Sequence, residues 1–188
     1  MPADIKSSIE GAVEYLTQHP DEARYTDSVA RATLGDSLRV SVVGSSGDEI
    51  TTDMPEAIGG LGDEPSPGWL YRAAVASCVA SAVAMEAARS DVQLDSLVVE
   101  VDSESDDRGI LGMDEEIPVG PLSLQVRIVV RAGNAGKEDV ARLVERGARR
   151  CPVLDATERA IETNLDVQVV DTAATGTAGE TSSRSNMT

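Results

Sequence analysis

The sequence predicts a single domain that mixes α-helices with antiparallel strands, and three stretches carry that prediction. Residues 28–55 place apolar side chains at a period of two between Gly-rich turns, the pattern of an antiparallel meander. Residues 69–91 form the longest apolar run, almost all Ala and Val, and read as a long buried helix. From residue 94 onward, strand-like and helix-like segments alternate to residue 170. The 188 residues suit one domain with room for a real core.

In chain order, Ile5, Ile9, Val13 and Leu16 recur at helical spacing over residues 4–19, and His19-Pro20 ends that helix. This helical extension is assigned to residues 1–27 and the main domain to 28–171. Turns are expected at residues 34–37 and 44–48, with Arg31 and Arg39 carried on the meander. The Gly-rich loop 58–67 lacks the Lys-Ser/Thr ending of a phosphate loop and reads as a hinge into the central helix. Ser66 is the expected N-cap of that helix and Pro67 its first residue. Strands follow at 94–103 and 122–132, separated by an acidic insertion, 104–116, expected to be a solvated loop. Residues 137–150 predict a helix with Val140, Leu143, Val144 and Ala148 on its buried side. Cys151-Pro152 then starts a short helix reaching about Glu162, and 165–170 is the expected closing strand. Residues 172–188, rich in Gly, Ser and Thr, are expected to form a disordered tail.

Composition narrows the function classes. Acidic residues outnumber basic ones 33 to 16, for a net charge of −17, and only Lys6 and Lys137 are lysines. That balance argues against nucleic acid and anionic membranes as partners, because phosphate contacts need clustered Lys and Arg. An acidic surface poor in lysine is instead expected of a protein kept dispersed in a high-salt cell, a halophile. The first residues show no basic segment followed by an apolar one, so a cytoplasmic location is expected. The central run is interrupted or bounded by Arg72, Ser77, Ser81, Glu86 and Arg89, leaving fewer than the roughly 20 apolar residues of a membrane span. His19 is the only histidine and adjoins a helix-ending proline, so neither a metal site nor a cofactor is expected.

The chain has two cysteines, and a thiol attacks only when ionised. Cys151 precedes a proline suited to a first helical turn, so it is expected at a helix N-terminus, where backbone N–H groups favour a thiolate. Cys78 has Ala74, Val75, Ser81 and Ala82 as its helical neighbours, and such surroundings keep a thiol protonated unless another segment brings a cation. From the residues alone, Cys78 reads equally as a small buried hydrophobe.

The succession Pro55-x-x-x-Gly59-Gly60, Pro65-Ser66-Pro67, then Leu70-x-x-Ala73-Ala74-x-Ala76-Ser77-Cys78 resembles the OsmC/Ohr family. The later helix, Cys151-Pro152 and residues 165–170 resemble it as well, so the likeness covers roughly residues 28–171. It implies an intertwined homodimer of α+β subunits with antiparallel sheets around long central helices. It also implies a thiol-dependent peroxidase acting on organic hydroperoxides or hydrogen peroxide and recycled by an external dithiol reductant. On that resemblance Cys78 is the peroxidatic thiol, Cys151 resolves it as a disulfide, and an arginine near the N-terminus activates it. Arg39 is the first choice for that arginine and Arg31 the second. One departure stands out: the Ohr branch carries a glutamate where this chain has Gly68, and Glu64 is the nearest substitute. Two functions therefore remain open. One is a peroxidase; the other is an OsmC-like dimer without efficient peroxidase activity, serving as a small-molecule-binding or stress-associated protein.

Overall fold

The central helix, α2 (Pro67–Arg89), starts where its capping residues direct. Ser66 Oγ accepts the Trp69 N–H at 3.2 Å, and Pro67 fills the first position, where a missing N–H costs nothing. Val75, Val79, Val83 and Ala87 recur every four residues and form one stripe, with all three valines fully buried. The computed structural model describes residues 4–170; the tail expected over 172–188 lies outside the described residues.

Four elements cover that stripe. Strands β4 (Leu94–Glu104) and β5 (Ser123–Ala132) form an antiparallel ladder in which Val99 faces Ile128 and Val101 faces Val126. Leu97, Val99, Val101, Leu124, Val126 and Ile128 turn toward the helix. Burial alternates strictly along β5, as a half-buried strand requires. On the other side lie α4 (Lys137–Ala148), with Val140, Leu143 and Gly147 buried, and α5 (Pro152–Glu158). By length and composition alone α2 could cross a bilayer, yet its apolar stripe is occupied by protein.

The remaining elements are more open. Helix α1 (Ile5–Gln18) is capped by Asp4 and lies against α2, with Lys6 Nζ 2.6 Å from Asp91. Strands β1 (Ala30–Leu34), β2 (Val40–Gly44) and β3 (Glu49–Thr52) form the expected meander, in that spatial order. Its turns use left-handed backbone at Ser37 and Gly47. This sheet packs mainly within itself rather than on the helices, and β1 is exposed along its whole length.

The predicted mix of helices and antiparallel strands therefore holds, with three corrections at the level of elements. Residues 165–170 form no strand: Leu165, Val167, Val169 and Val170 alternate as a strand would, but they are exposed and pair with nothing among the described residues. A strand exists only where another strand satisfies its N–H and C=O groups, and the described residues offer it none. The helix opened by Pro152 stops at Glu158 rather than near Glu162. The acidic insertion is not simply a solvated loop. It contains a short helix, α3 (Asp107–Ile110), and buries Gly109 so closely on Pro118 that an added Cβ would lie 2.4 Å from its carbonyl oxygen.

The tightest helix contact is between α4 and α2. A Cβ at Gly147 would sit 2.7 Å from Val83 Cα, so only glycine permits this approach. Alanine in a helix gains up to about 1 kcal/mol over glycine, whereas overpacking a core costs about 1–3 kcal/mol. Gly147→Ala is therefore expected to destabilise the protein by about 1–2 kcal/mol in equilibrium denaturation; unchanged or raised stability would show that the helices are free to separate.

Candidate thiol site

Cys151 caps α5, and its sulfur accepts the Leu154 N–H at 3.3 Å. Its side chain is 1% exposed and belongs to the buried cluster formed with Val75, Val79, Val83 and Leu143. Cys78, halfway along α2, is half-buried and packs against the same cluster. The fold thus brings together two sulfurs separated by 72 residues of chain, and both are free thiols. The helix-terminal position does not make Cys151 a thiolate. Burial pushes its pKa up, the Cys78 thiol beside it adds to the rise, and the Leu154 N–H only partly offsets them. The expectation of an ionised Cys151 is corrected on that ground: desolvation outweighs the helix terminus.

Arg39 lies elsewhere in the chain, just before β2. Its guanidinium bonds Asp63 and lies 3.9 Å from Asp53, and Nε is buried without a partner. Among the described residues, no hydrogen bond or ion pair joins it to Cys78. The Asp63 carboxylate is held below its usual range mainly by its bond to Arg39. The carboxylate that engages Arg39 is thus Asp63, one residue before Glu64. Arg31 is exposed on β1.

Asp53 explains the glycines of the hinge. It is 1% exposed; Oδ1 accepts the Met54 N–H at 2.7 Å and Oδ2 the Leu61 N–H at 2.9 Å. The loop wraps so tightly around this carboxylate that a Cβ at Gly60 would lie 1.8 Å from the Met54 carbonyl oxygen. Beyond the loop, a cleft of about 480 Å³ opens beside the start of α2, lined by Met54, Ile58, Gly68, Tyr71, Arg72 and Val119.

Sequence reasoning missed the most unusual charged group. Glu86 lies on the buried side of α2 and is only 6% exposed. Arg146 Nε reaches one of its oxygens at 3.0 Å and Arg150 Nη1 the other at 2.5 Å. The signal was present. Glu86 follows Val75, Val79 and Val83 at helical spacing, and a carboxylate on a buried face must be paired. The two arginines, four residues apart near Cys151, were the available partners.

The family model described as OsmC-like protein matches residues 60–166, more than half of the chain. No curated protein matches significantly. Among solved structures, the OsmC-like protein of Mycoplasma pneumoniae aligns over 72% of this chain and 89% of its own, with a TM-score of 0.61 at 12% identity. An organic hydroperoxide resistance protein OsmC from Legionella pneumophila aligns over 71% and 90%, with a TM-score of 0.54 at 20% identity. A putative osmotic stress induced and detoxification response protein from Psychrobacter arcticus gives 71%, 90%, 0.55 and 21%. At these identities the likeness establishes the fold.

The raised pKa of Cys151 has a consequence for stability. Its folded-state value lies above the unfolded one, about 8.5, so its contribution is complete below that pH and is lost as pH rises through the folded value. Thermal unfolding of the reduced protein is therefore expected to weaken above about pH 8.5 more steeply than that of Cys151→Ser. Parallel pH profiles for the two would contradict a buried, protonated thiol.

Proposed function

The chain belongs to the OsmC-like protein family, and on that premise we propose that it is a thiol-dependent peroxidase working through Cys78 and Cys151. The observation that carries this reading is the meeting of the two thiols, one on the central helix and one on the cap of α5, in a shared buried cluster. The Legionella protein of the same fold, named for organic hydroperoxide resistance, supports an organic hydroperoxide as substrate.

In the reaction, the Cys78 thiolate attacks the distal peroxide oxygen. The O–O bond breaks, an S–O bond forms, and the alkoxide leaves as the alcohol by taking up the proton that the Cys78 thiol released on ionising, so Cys78 becomes a sulfenic acid. The Cys151 sulfur then attacks the Cys78 sulfur, the S–S bond forms and water departs. An external dithiol returns two electrons and reopens the bridge. Cys151 is protonated at rest, so it must lose its proton for this second step, and its position beside Cys78 offsets its low ionised fraction.

A homodimer is part of the proposal. Two features support it: the exposed, alternating apolar side chains of residues 165–170, and a β1–β3 sheet that packs little on its own helices. A second chain is also the natural source of the cation that Cys78 needs, with Arg39 as first choice, since among the described residues its guanidinium meets only carboxylates. A cytoplasmic location in a high-salt cell fits the net charge of −17.

The engagement of Arg39 by Asp63 and Asp53, together with Gly68, favours a second reading, an OsmC-like dimer that lacks efficient peroxidase chemistry. Thiol counting separates the two. With one equivalent of cumene hydroperoxide at molar salt, the reduced protein is expected to lose two free thiols per chain. Cys78→Ser should lose none, and Cys151→Ser only one. Persistence of both wild-type thiols would rule out the peroxidase.

A further inference from the structure

We propose that Glu86 is a positioning residue for Cys151: by holding Arg150, it fixes the corner between α4 and α5 so that the Cys151 sulfur faces Cys78. The inference rests on the reading of the two thiols as a redox pair, but not on the peroxide being their oxidant.

The geometry runs through consecutive residues. At Gly147 the end of α4 touches the backbone of α2 at Val83. The chain then closes a tight turn, with the Arg150 N–H donating to the Gly147 carbonyl and the Cys151 N–H to the Ala148 carbonyl, both at 3.0 Å. Arg150, the peptide neighbour of Cys151, extends back to Glu86 on α2 and bonds it at 2.5 Å. On its other side, Cys151 caps α5 through Leu154. The resolving sulfur is therefore held between a charged tether to α2 and a helix cap.

A carboxylate is an expensive choice for this place if packing were its only role. Position 86 follows a stripe of valines, and an apolar side chain there would bury without the desolvation of a charge. An ion pair, however, has direction. Its two oxygens take separate arginines, and among the described residues Glu86 is the one ion-pair partner of the arginine next to Cys151. Arg146 completes the pairing of Glu86, but it lies a turn earlier, before the Gly147 contact. Its loss should weaken the fold without releasing Cys151.

The test uses the full-length reduced protein and diamide, a diazene that takes two electrons and two protons from a dithiol and so closes the bridge without peroxide. Closure is followed by free-thiol loss and mass, and the bridge's potential is read in a glutathione buffer. Glu86→Gln and Arg150→Gln are each expected to slow closure at least tenfold. Each should also lower the equilibrium constant for the bridge about tenfold, a potential about 30 mV more positive. Arg146→Gln is expected to stay within about twofold of wild type in closure while melting at a lower temperature. If Glu86→Gln does not fold, Arg150→Gln decides, because that side chain is mostly exposed. Wild-type closure and potential in the folded variants would overturn the positioning role, and so would equal slowing in all three. If peroxide leaves the wild-type thiols intact while diamide pairs them, the peroxidase reading fails and the positioning role stands on the diamide result. Thiols that neither reagent pairs would overturn both.

Discussion

The approach of α4 to α2 at Gly147 is the constraint on which the rest of the molecule depends. With no side chain at that position, the two backbones meet at Val83 closely enough to exclude even a methyl group. The consequences follow along the chain. Leu143 reaches the valine stripe, Arg146 and Arg150 reach Glu86 from either side of the contact, and Cys151 arrives one residue later in the same cluster. The chain has no phenylalanine and only 2% aromatic residues, and Tyr71 is the one ring packed against this cluster, so small residues must close most of the space between the helices. With small core residues, the helices must come close, since dispersion contacts vanish across even a modest void.

Charge is handled differently at the two ends of α2. Near its C-terminus a buried carboxylate is fully paired. Near its N-terminus Asp53 is buried by backbone N–H groups, while Arg39 is held by Asp63 at the surface. Neither arrangement puts a cation on Cys78. A thiol attacks only as its thiolate, so the chemistry proposed for Cys78 calls for a cation that these two charge clusters, among the described residues, do not supply. In the proposed homodimer, catalysis and assembly are therefore the same question: without a guanidinium beside Cys78, the two thiols are packing residues of the core.

Much of this was legible in the residues. Ser66-Pro67 set the start of α2, and the four-residue spacing of Val75, Val79 and Val83 set its buried face, because both are local consequences of helix geometry. The turns of the meander were local as well. What was not legible was whatever depended on a distant partner. Residues 165–170 alternate like a strand, but whether a strand forms depends on a neighbour that local sequence does not name. The state of Cys151 turned on the balance between a helix terminus and complete burial, and only the tertiary packing decides that balance. Arg39 could be nominated from sequence, but its engagement by Asp63 arises from a loop folded over Asp53. Glu86 was readable in principle, since a carboxylate following a valine stripe demands a partner.

Everything proposed for the chemistry turns on Cys78 and Cys151 of one chain being a working pair. The most direct measurement is peptide mapping of protein treated with one equivalent of organic hydroperoxide, using an equal mixture of ¹⁴N and ¹⁵N chains. A pair within one chain gives one cross-linked peptide joining Cys78 to Cys151, with both halves carrying the same isotope. Mixed-isotope cross-links, or sulfinic acid at Cys78 with Cys151 still free, would contradict it.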